Sequence, residues 1–309
     1  MVALLALAGC GGGGDDGSGA SVALSQTPAI PSEPCPSPIA ADCVVDLVGA
    51  RYRYDTQMVG GRQSDYALSV RKVGLTLVPS HSSASAPAVA VDFRFSGGTT
   101  VEDGGVLAVS GGSSLHSDVV VQLACRLNLS GAMTGNATNY GDMDLRGAVT
   151  GNVTNYGGMS LSGRMTGNAT NHGNMAVWAT LVGNVVNDGV LTPGSSIYED
   201  VPTTLTRIEG AFSQSPAGTL DAVIGATSGG VSVAGRADID GTLRLSAYND
   251  DWGPYPLPTA PFSVHVLHAD GGVFGQFATL TSPGLLITGN LRYLDNDVFF
   301  DVTSISVAK

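Results

Sequence analysis

The chain has 309 residues, 43 of them glycine, and its 14 basic and 26 acidic side chains give a net charge of −12. An acidic chain of this kind has no basic field for DNA or RNA, so we expect no nucleic-acid partner. Its 43% of hydrophobic residues can form a core, which excludes a wholly disordered chain. Abundant Gly, Val, Thr, Ser and Asn disfavour helices and favour strands joined by tight turns, so the composition predicts an all-β protein.

The first ten residues, MVALLALAGC, contain a short apolar run that ends at a cysteine. The run is too short to span a bilayer. Leu7-Ala8-Gly9-Cys10 resembles the lipobox of bacterial lipoprotein signal peptides, which implies a signal peptide over residues 1–9 and lipid attachment at Cys10. Gly11, in place of the aspartate that retains such proteins in the inner membrane, implies an outer-membrane lipoprotein, on the periplasmic face or the cell surface. The alternative is an ordinary cleaved signal with an incidental cysteine.

The next segment, residues 10–44, is rich in glycine, serine and proline and predicts a flexible tether. Within it, Cys35 and Cys43 flank a short loop that a disulfide could close in an oxidising compartment. Cys125 lies in the apolar run VVVQLACRLNL and is interpreted as a buried thiol. Residues 45–100 alternate well enough to form strands, either as an N-terminal β cap or as irregular coils.

A sixteen-residue repeat follows, with units such as TGNVTNYGGMSLSGRM. Its copies begin at Thr134, Thr150, Thr166 and Val182. Alternating apolar residues within each copy indicate short strands with one face inward, and glycine and asparagine at the corners permit tight bends. Sixteen residues at about 3.3 Å each trace about 50 Å, which suffices for one small closed coil. The repeat therefore predicts a parallel β-solenoid whose coils stack about 4.8 Å apart.

Stacking places equivalent residues of successive coils beside one another. We expect Met143, Met159 and Met175 to be buried as one such ladder. We expect the asparagines to hydrogen-bond from coil to coil along the axis.

The repeat units resemble the passenger domains of autotransporters, whose right-handed β-helices use GNVxNxGxLxLxG-type repeats. Residues 208–245 are similar to the pattern near the end of such passengers, and LRYLDNDVFFDV from Leu291 is similar to the closing strands of their autochaperone region. The resemblance covers roughly residues 100–305 and ends before the translocator of that family. It implies an extracytoplasmic right-handed parallel β-helix over residues 101–250, closed by an antiparallel, autochaperone-like C-terminal cap over residues 251–309.

Polysaccharide lyases and hydrolases also use β-helices, and they need clustered carboxylates on neighbouring coils. The acids of the repeats do not line up in that way. Asp250 and Asp251 are interpreted as a solvated turn. His265 and His268 flank an apolar segment, where a surface or cap role is preferred to a metal site. We therefore predict no catalytic residue, no metal site and no cofactor.

Tyr140, Tyr156 and His172 share one position of the repeat, directly before a corner glycine. Stacked at the coil spacing they would form an exposed aromatic strip, which either binds flat sugar faces or stabilises the corner. Two functions stay open. The first is a lipid-anchored, adhesin-like or structural binding module whose partner is a glycan or a host or cell-surface protein. The second is a polysaccharide-active β-helix enzyme, a lyase or glycoside hydrolase.

Overall fold

The computed structural model describes residues 43–45, 51–54, 63–64, 68–71, 74–77, 91–194, 206–224, 230–247, 249–250, 253–254 and 259–307. These residues form strands and turns and contain no helix, which confirms the all-β prediction. In this described part of the chain, accordingly, no helix is long and apolar enough to cross a membrane. The chain forms two compact units, residues 1–144 and 145–309.

The strands of the first unit are short. They are β1 (Cys43–Val45), β2 (Arg51–Tyr54), β3 (Gln63–Ser64), β4 (Leu68–Arg71), β5 (Gly74–Leu77), β6 (Val91–Phe95), β7 (Thr99–Glu102), β8 (Val106–Val109), β9 (Ser113–His116), β10 (Val119–Val121), β11 (Arg126–Leu129), β12 (Ala132–Thr134) and β13 (Ala137–Asn139). Strand β14 (Asp142–Leu145) lies at the boundary between the units.

The strands of the second unit are equally short until its last elements. They are β15 (Ala148–Thr150), β16 (Val153–Asn155), β17 (Gly158–Leu161), β18 (Arg164–Thr166), β19 (Ala169–Asn171), β20 (Asn174–Val177), β21 (Thr180–Val182), β22 (Val185–Asn187), β23 (Val190–Pro193), β24 (Thr206–Ile208), β25 (Phe212–Gln214), β26 (Thr219–Ile224), β27 (Val231–Val233), β28 (Ala237–Ile239), β29 (Thr242–Ala247), β30 (Asn249–Asp250), β31 (Gly253–Pro254), β32 (Phe262–Ala269), β33 (Val273–Gly275), β34 (Thr279–Thr281), β35 (Leu285–Tyr293) and β36 (Asp297–Val307).

In the first unit, each strand pairs in parallel with the strand three places along the chain. Successive strands therefore fall in turn into three sheets, β1-β4-β7-β10-β13, β2-β5-β8-β11 and β3-β6-β9-β12. The coil length varies, because Gly74 lies beside Val106 but Val119 lies beside Ala137. The unit is thus a parallel β-helix with irregular coils.

The second unit follows the same rule, with a constant period of sixteen residues from β15 to β23 and longer coils after β23. Its sheets are β16-β19-β22-β25-β28-β33, β17-β20-β23-β26-β29-β34 and β15-β18-β21-β24-β27-β32. Met159 lies beside Met175, and Met175 lies beside Leu191, sixteen residues apart at each step. The sixteen-residue coil and the parallel β-helix are confirmed.

The core lies inside these coils because alternate strand residues point inward. Strand β17 shows the pattern, with Met159 and Leu161 buried and Gly158 and Ser160 partly exposed. Met143 and Met175 are also buried, as predicted.

Glycine is required at two kinds of corner. Gly167 has φ +137°, a conformation that side chains with a Cβ rarely adopt. At Gly173 the reason is space, because a Cβ there would lie 2.2 Å from the carbonyl oxygen of Gly157 in the coil before. Each coil therefore bends tightly against its neighbour.

The last strands of the second unit change direction. Strands β32, β33 and β34 form one further parallel coil, within the range expected for the cap. Strand β36 then pairs antiparallel with both β32 and β35 and extends the third sheet. Val298, Phe300 and Val302 of β36 are buried, and the antiparallel C-terminal cap is confirmed.

Candidate functional site

One corner of the second unit carries stacked rings. Tyr156, His172 and Asp188 directly follow strands β16, β19 and β22, whose last residues are buried asparagines. Because these strand ends lie in register, the three side chains occupy equivalent places on successive coils. The rings of Tyr156 and His172 are 4.8 Å apart between centroids and 13° from parallel. We call these three residues the ring column.

The ring column ends on a carboxylate. Nδ1 of His172 lies 3.2 Å from Oδ2 of Asp188, and Tyr156 is 47% exposed. Because the two rings stack on each other, the two faces that meet are covered and a ligand does not reach them. The arrangement therefore differs from a strip of open ring faces.

Tyr140, the third residue predicted for this site, belongs to the first unit. It follows strand β13 and is 43% exposed. The structure thus brings Tyr156 and His172 together within the second unit.

A buried ladder of amides supports the ring column from inside. Nδ2 of Asn155 donates to Oδ1 of Asn171 at 2.8 Å, and Nδ2 of Asn171 donates to Oδ1 of Asn187 at 2.8 Å. Nδ2 of Asn187 donates to Oε1 of Gln214 at 3.0 Å, which continues the ladder into a longer coil. All four side chains are buried. The predicted hydrogen bonding from coil to coil is confirmed, and it fixes the backbone from which the rings project.

A second asparagine ladder lies on the surface, at the start of the same strands. Oδ1 of Asn152 accepts the backbone N–H of Asn168 at 2.9 Å, and Oδ1 of Asn168 accepts the N–H of Asn184 at 3.0 Å. Asn152 and Asn168 each open an Asn-x-Thr sequence of the repeat. Their side chains bridge neighbouring coils.

A different cluster lies in the cap. His265 and His268 both belong to β32 and are partly exposed, and Asp297 begins β36, the antiparallel partner of β32. A β-bulge between His265 and Leu267 interrupts the register of this pair. As a result Val266 and Leu267 both point inward, and the two histidines, three residues apart, face outward together. We call His265, His268 and Asp297 the cap cluster.

Both histidines of the cap cluster contact one oxygen. Nε2 of His265 and Nδ1 of His268 each lie 2.8 Å from Oδ1 of Asp297, and Nε2 of His268 lies 3.1 Å from Oδ1 of Asp270. The hydrogen bond to Asp297 raises the pKa of His268. Burial alone would raise the pKa of Asp297, but the hydrogen bonds from His268 and His265 outweigh it, and this pKa lies below its usual value.

The ring of His265 is held by packing. It stacks on Phe299 at 4.4 Å between centroids, and the guanidinium of Arg292 lies 4.5 Å from the centroid of the Phe299 ring. Arg292 in turn donates to both carboxylate oxygens of Asp301, at 2.8 and 3.0 Å. Asp297 could not be predicted as part of this cluster from the sequence, because only the pairing of β32 with β36 brings it to the histidines.

One buried carboxylate accepts hydrogen bonds that join two neighbouring coils. Asp221 on β26 accepts a hydrogen bond from Nη2 of Arg244 at 2.6 Å and from Oγ of Ser246 at 2.7 Å. Both partners lie on β29, the neighbouring strand. The hydrogen bond to Asp221 raises the pKa of Arg244, and the pair joins two neighbouring coils.

The predicted cysteine sites are described only in part. Cys10 and Cys35 lie outside the described residues, and Cys43 is placed on β1 with no description of its side chain. Cys125 is a buried thiol, as predicted, and its Sγ accepts the backbone N–H of Gly104 at 3.3 Å. Asp251 lies outside the described residues, and Asp250 is placed on β30.

The second unit therefore offers two polar assemblies, the ring column on its repeat coils and the cap cluster at its C-terminal sheet. The ring column combines two aromatic rings with a carboxylate. The cap cluster combines two imidazoles with a carboxylate. No protein-family model matches the chain, and the comparison with curated proteins finds no match either.

Proposed function

We propose that the protein is a lipid-anchored β-helix of the bacterial cell envelope that acts as an adhesin-like binding module and contacts a glycan through its ring column. The observation that carries the proposal is the exposed stack of Tyr156 on His172, ending at Asp188. Repeats of this kind need no exposed aromatic residue for folding, because the strand residues that point inward already form the core.

The chemistry of the ring column suits a polyhydroxylated ligand. The carboxylate of Asp188 accepts hydrogen bonds from sugar hydroxyls, the imidazole of His172 accepts or donates them, and the exposed part of the Tyr156 ring offers apolar contact to the sugar. Each aromatic contact contributes about 1 kcal/mol, so one site binds weakly. Many copies on a cell surface raise the overall affinity through multivalency.

The amino-terminal segment supports the proposed location at the outer membrane. Cys10 would carry the lipid that attaches the protein to the outer membrane, and the Gly- and Pro-rich tether over residues 10–44 would hold the β-helix away from the bilayer. The buried amide ladder keeps the ring column rigid, so little conformational entropy is lost on binding.

The test of ligand binding compares two exposed aromatic surfaces. The double change Tyr156→Ala and His172→Ala should abolish binding to a panel of immobilised cell-surface polysaccharides and leave the thermal midpoint nearly unchanged. Trp178→Ala is the matched control, because Trp178 is 51% exposed on the same unit but lies outside the ring column. Binding that survives the double change, or that follows the loss of folded protein, would overturn the proposal. Release of soluble oligosaccharides by the wild type would favour a polysaccharide-active enzyme instead.

The proposed lipid attachment and cellular location are tested with the native chain in its own cells. Cys10→Ser should move the protein from the membrane fraction to the soluble fraction, and the wild type should incorporate labelled palmitate. Protease treatment of intact cells should remove the β-helix if it faces outward. A wild type that takes up no lipid would show that Cys10 is incidental.

A further inference from the structure

In the cap cluster, a β-bulge brings together three side chains of the types that bind metal ions. Residues three apart on a regular strand point to opposite faces. The bulge in β32 turns His265 and His268 to the same face, opposite the start of β36. Bulges of this kind occur next to functional sites, where they re-aim a side chain.

The distances between the three ligand atoms are close to those that a bound metal ion requires. One atom from each of His265, His268 and Asp297 lies within 4.8 Å of the other two. Both imidazole nitrogens approach the same carboxylate oxygen at 2.8 Å. In tetrahedral coordination with bonds of about 2.0–2.1 Å, two ligand atoms are separated by about 3.3 Å. Small side-chain rotations therefore suffice to admit an ion.

The surroundings of the cap cluster fix the ligands in the manner of metal sites. Histidines that bind metals usually direct their second ring nitrogen to a carboxylate, which sets the tautomer and the ring orientation. Nε2 of His268 meets Oδ1 of Asp270 in this way, at 3.1 Å. The ring of His265 is positioned instead by its stack on Phe299.

We infer that the cap cluster binds one divalent transition-metal ion of the Zn²⁺ class, through Nε2 of His265, Nδ1 of His268 and a carboxylate oxygen of Asp297. Imidazole nitrogens favour zinc, copper and nickel over calcium and magnesium, which take oxygen ligands. All three side chains are partly exposed, so the ion is reached from solvent and water completes its coordination. The bound ion would link β32 to β36 and so strengthen the closing sheet. This inference is independent of glycan binding.

The experiment titrates the chelator-treated full chain with Zn²⁺ in a calorimeter and with Co²⁺ in a visible spectrum. We expect one ion per chain, a d–d spectrum of Co²⁺ bound by imidazole, and a thermal midpoint that rises with added Zn²⁺. His265→Gln and His268→Gln should each weaken Zn²⁺ binding by at least about tenfold, and Asp270→Asn by about 10- to 100-fold.

The matched control is His172→Gln, because His172 also lies beside a carboxylate but has no second histidine there. It should bind Zn²⁺ like the wild type. Circular dichroism without metal establishes that each variant is folded, and Asp270→Asn keeps the test valid if a ligand variant fails to fold. No saturable Zn²⁺ binding by the wild type, or equal binding by wild type and a folded His268→Gln, would overturn the inference.

Discussion

The repeat coils over residues 148–193 and the closing segment over residues 262–307 are stabilised in different ways. In the repeat coils a favourable contact recurs at every coil, as the buried asparagines show. In the closing segment contacts occur once, as in the pairing of His265 and His268 with Asp297. A constant period thus repeats one simple interaction along the axis, whereas a bulge and a change of strand direction create a local cluster.

The energetics of the two regions differ as well. The amide ladder is buried, and its hydrogen bonds replace lost contacts with water, so each break leaves an unsatisfied polar group. The ion pair of Arg292 with Asp301 is half exposed, and salt and water screen it. The closing segment therefore depends on the burial of apolar residues such as Val264 and Phe300.

The largest effect should come from removal of the closing segment. Truncation after Ser246 exposes the strand edges of β27, β28 and β29 and the core beneath them, and open edges invite association with other chains. We expect aggregated protein, measured by size-exclusion chromatography with light scattering. A soluble truncated chain with one cooperative unfolding transition would show that the coils need no cap.

A change of register within the repeat coils should be nearly as damaging. One residue inserted after Gly157 moves Met159 and Leu161 of β17 to the outer face. We expect a loss of at least about 4 kcal/mol in the free energy of unfolding, because removal of such a side chain from a core costs about 2–5 kcal/mol. Ser160→Ala is the control and should change it by less than about 0.5 kcal/mol. Urea denaturation measures both, and equal effects would contradict the ladder architecture.

Asn171 and Asn168 lie in the same coil, Asn171 in the buried amide ladder and Asn168 in the exposed ladder. Asn171→Ala should cost about 2–4 kcal/mol, because it leaves the buried Oδ1 of Asn187 and the carbonyl of Val190 without this donor. Asn168→Ala should cost less than about 1 kcal/mol, because water replaces its exposed bond to Asn184. Urea denaturation distinguishes them. A cost for Asn168→Ala equal to that for Asn171→Ala would mean that burial does not set the difference.

The smallest effect is expected in the pH dependence of stability below about pH 4. Hydrogen bonds from Arg292 and Ser263 lower the pKa of Asp301 to about 2, whereas an unfolded aspartate has a pKa of about 3.9. A lowered pKa stabilises the folded state above about pH 4, and the contribution is lost as the pH falls to about 2. The stability difference between wild type and Asp301→Asn should therefore be constant from pH 7 to 5 and shrink below pH 4. Thermal unfolding at each pH measures it, and a difference that grows in acid would reverse the sign.

Much of the architecture could be predicted because the same sequence pattern recurs in successive coils. The registers of Met159 with Met175 and of Asn155 with Asn171 follow from one period. The ring column was partly predictable for the same reason, since Tyr156 and His172 share a repeat position. Their stacking at about the coil spacing was also expected from the repeat, and the two rings do lie 4.8 Å apart between centroids and 13° from parallel.

The all-β class, the sixteen-residue coil and the residues that stack from coil to coil follow from the amino-acid sequence, because a pattern of inward and outward residues repeated at one period favours stacked coils. The cap cluster depends on tertiary contacts instead. Asp297 is 29 residues from His268 and reaches it through antiparallel pairing, and the bulge that aligns His265 with His268 contradicts the period-two pattern of a strand. A period predicts what is repeated, whereas a contact made once, between distant segments, arises from packing alone.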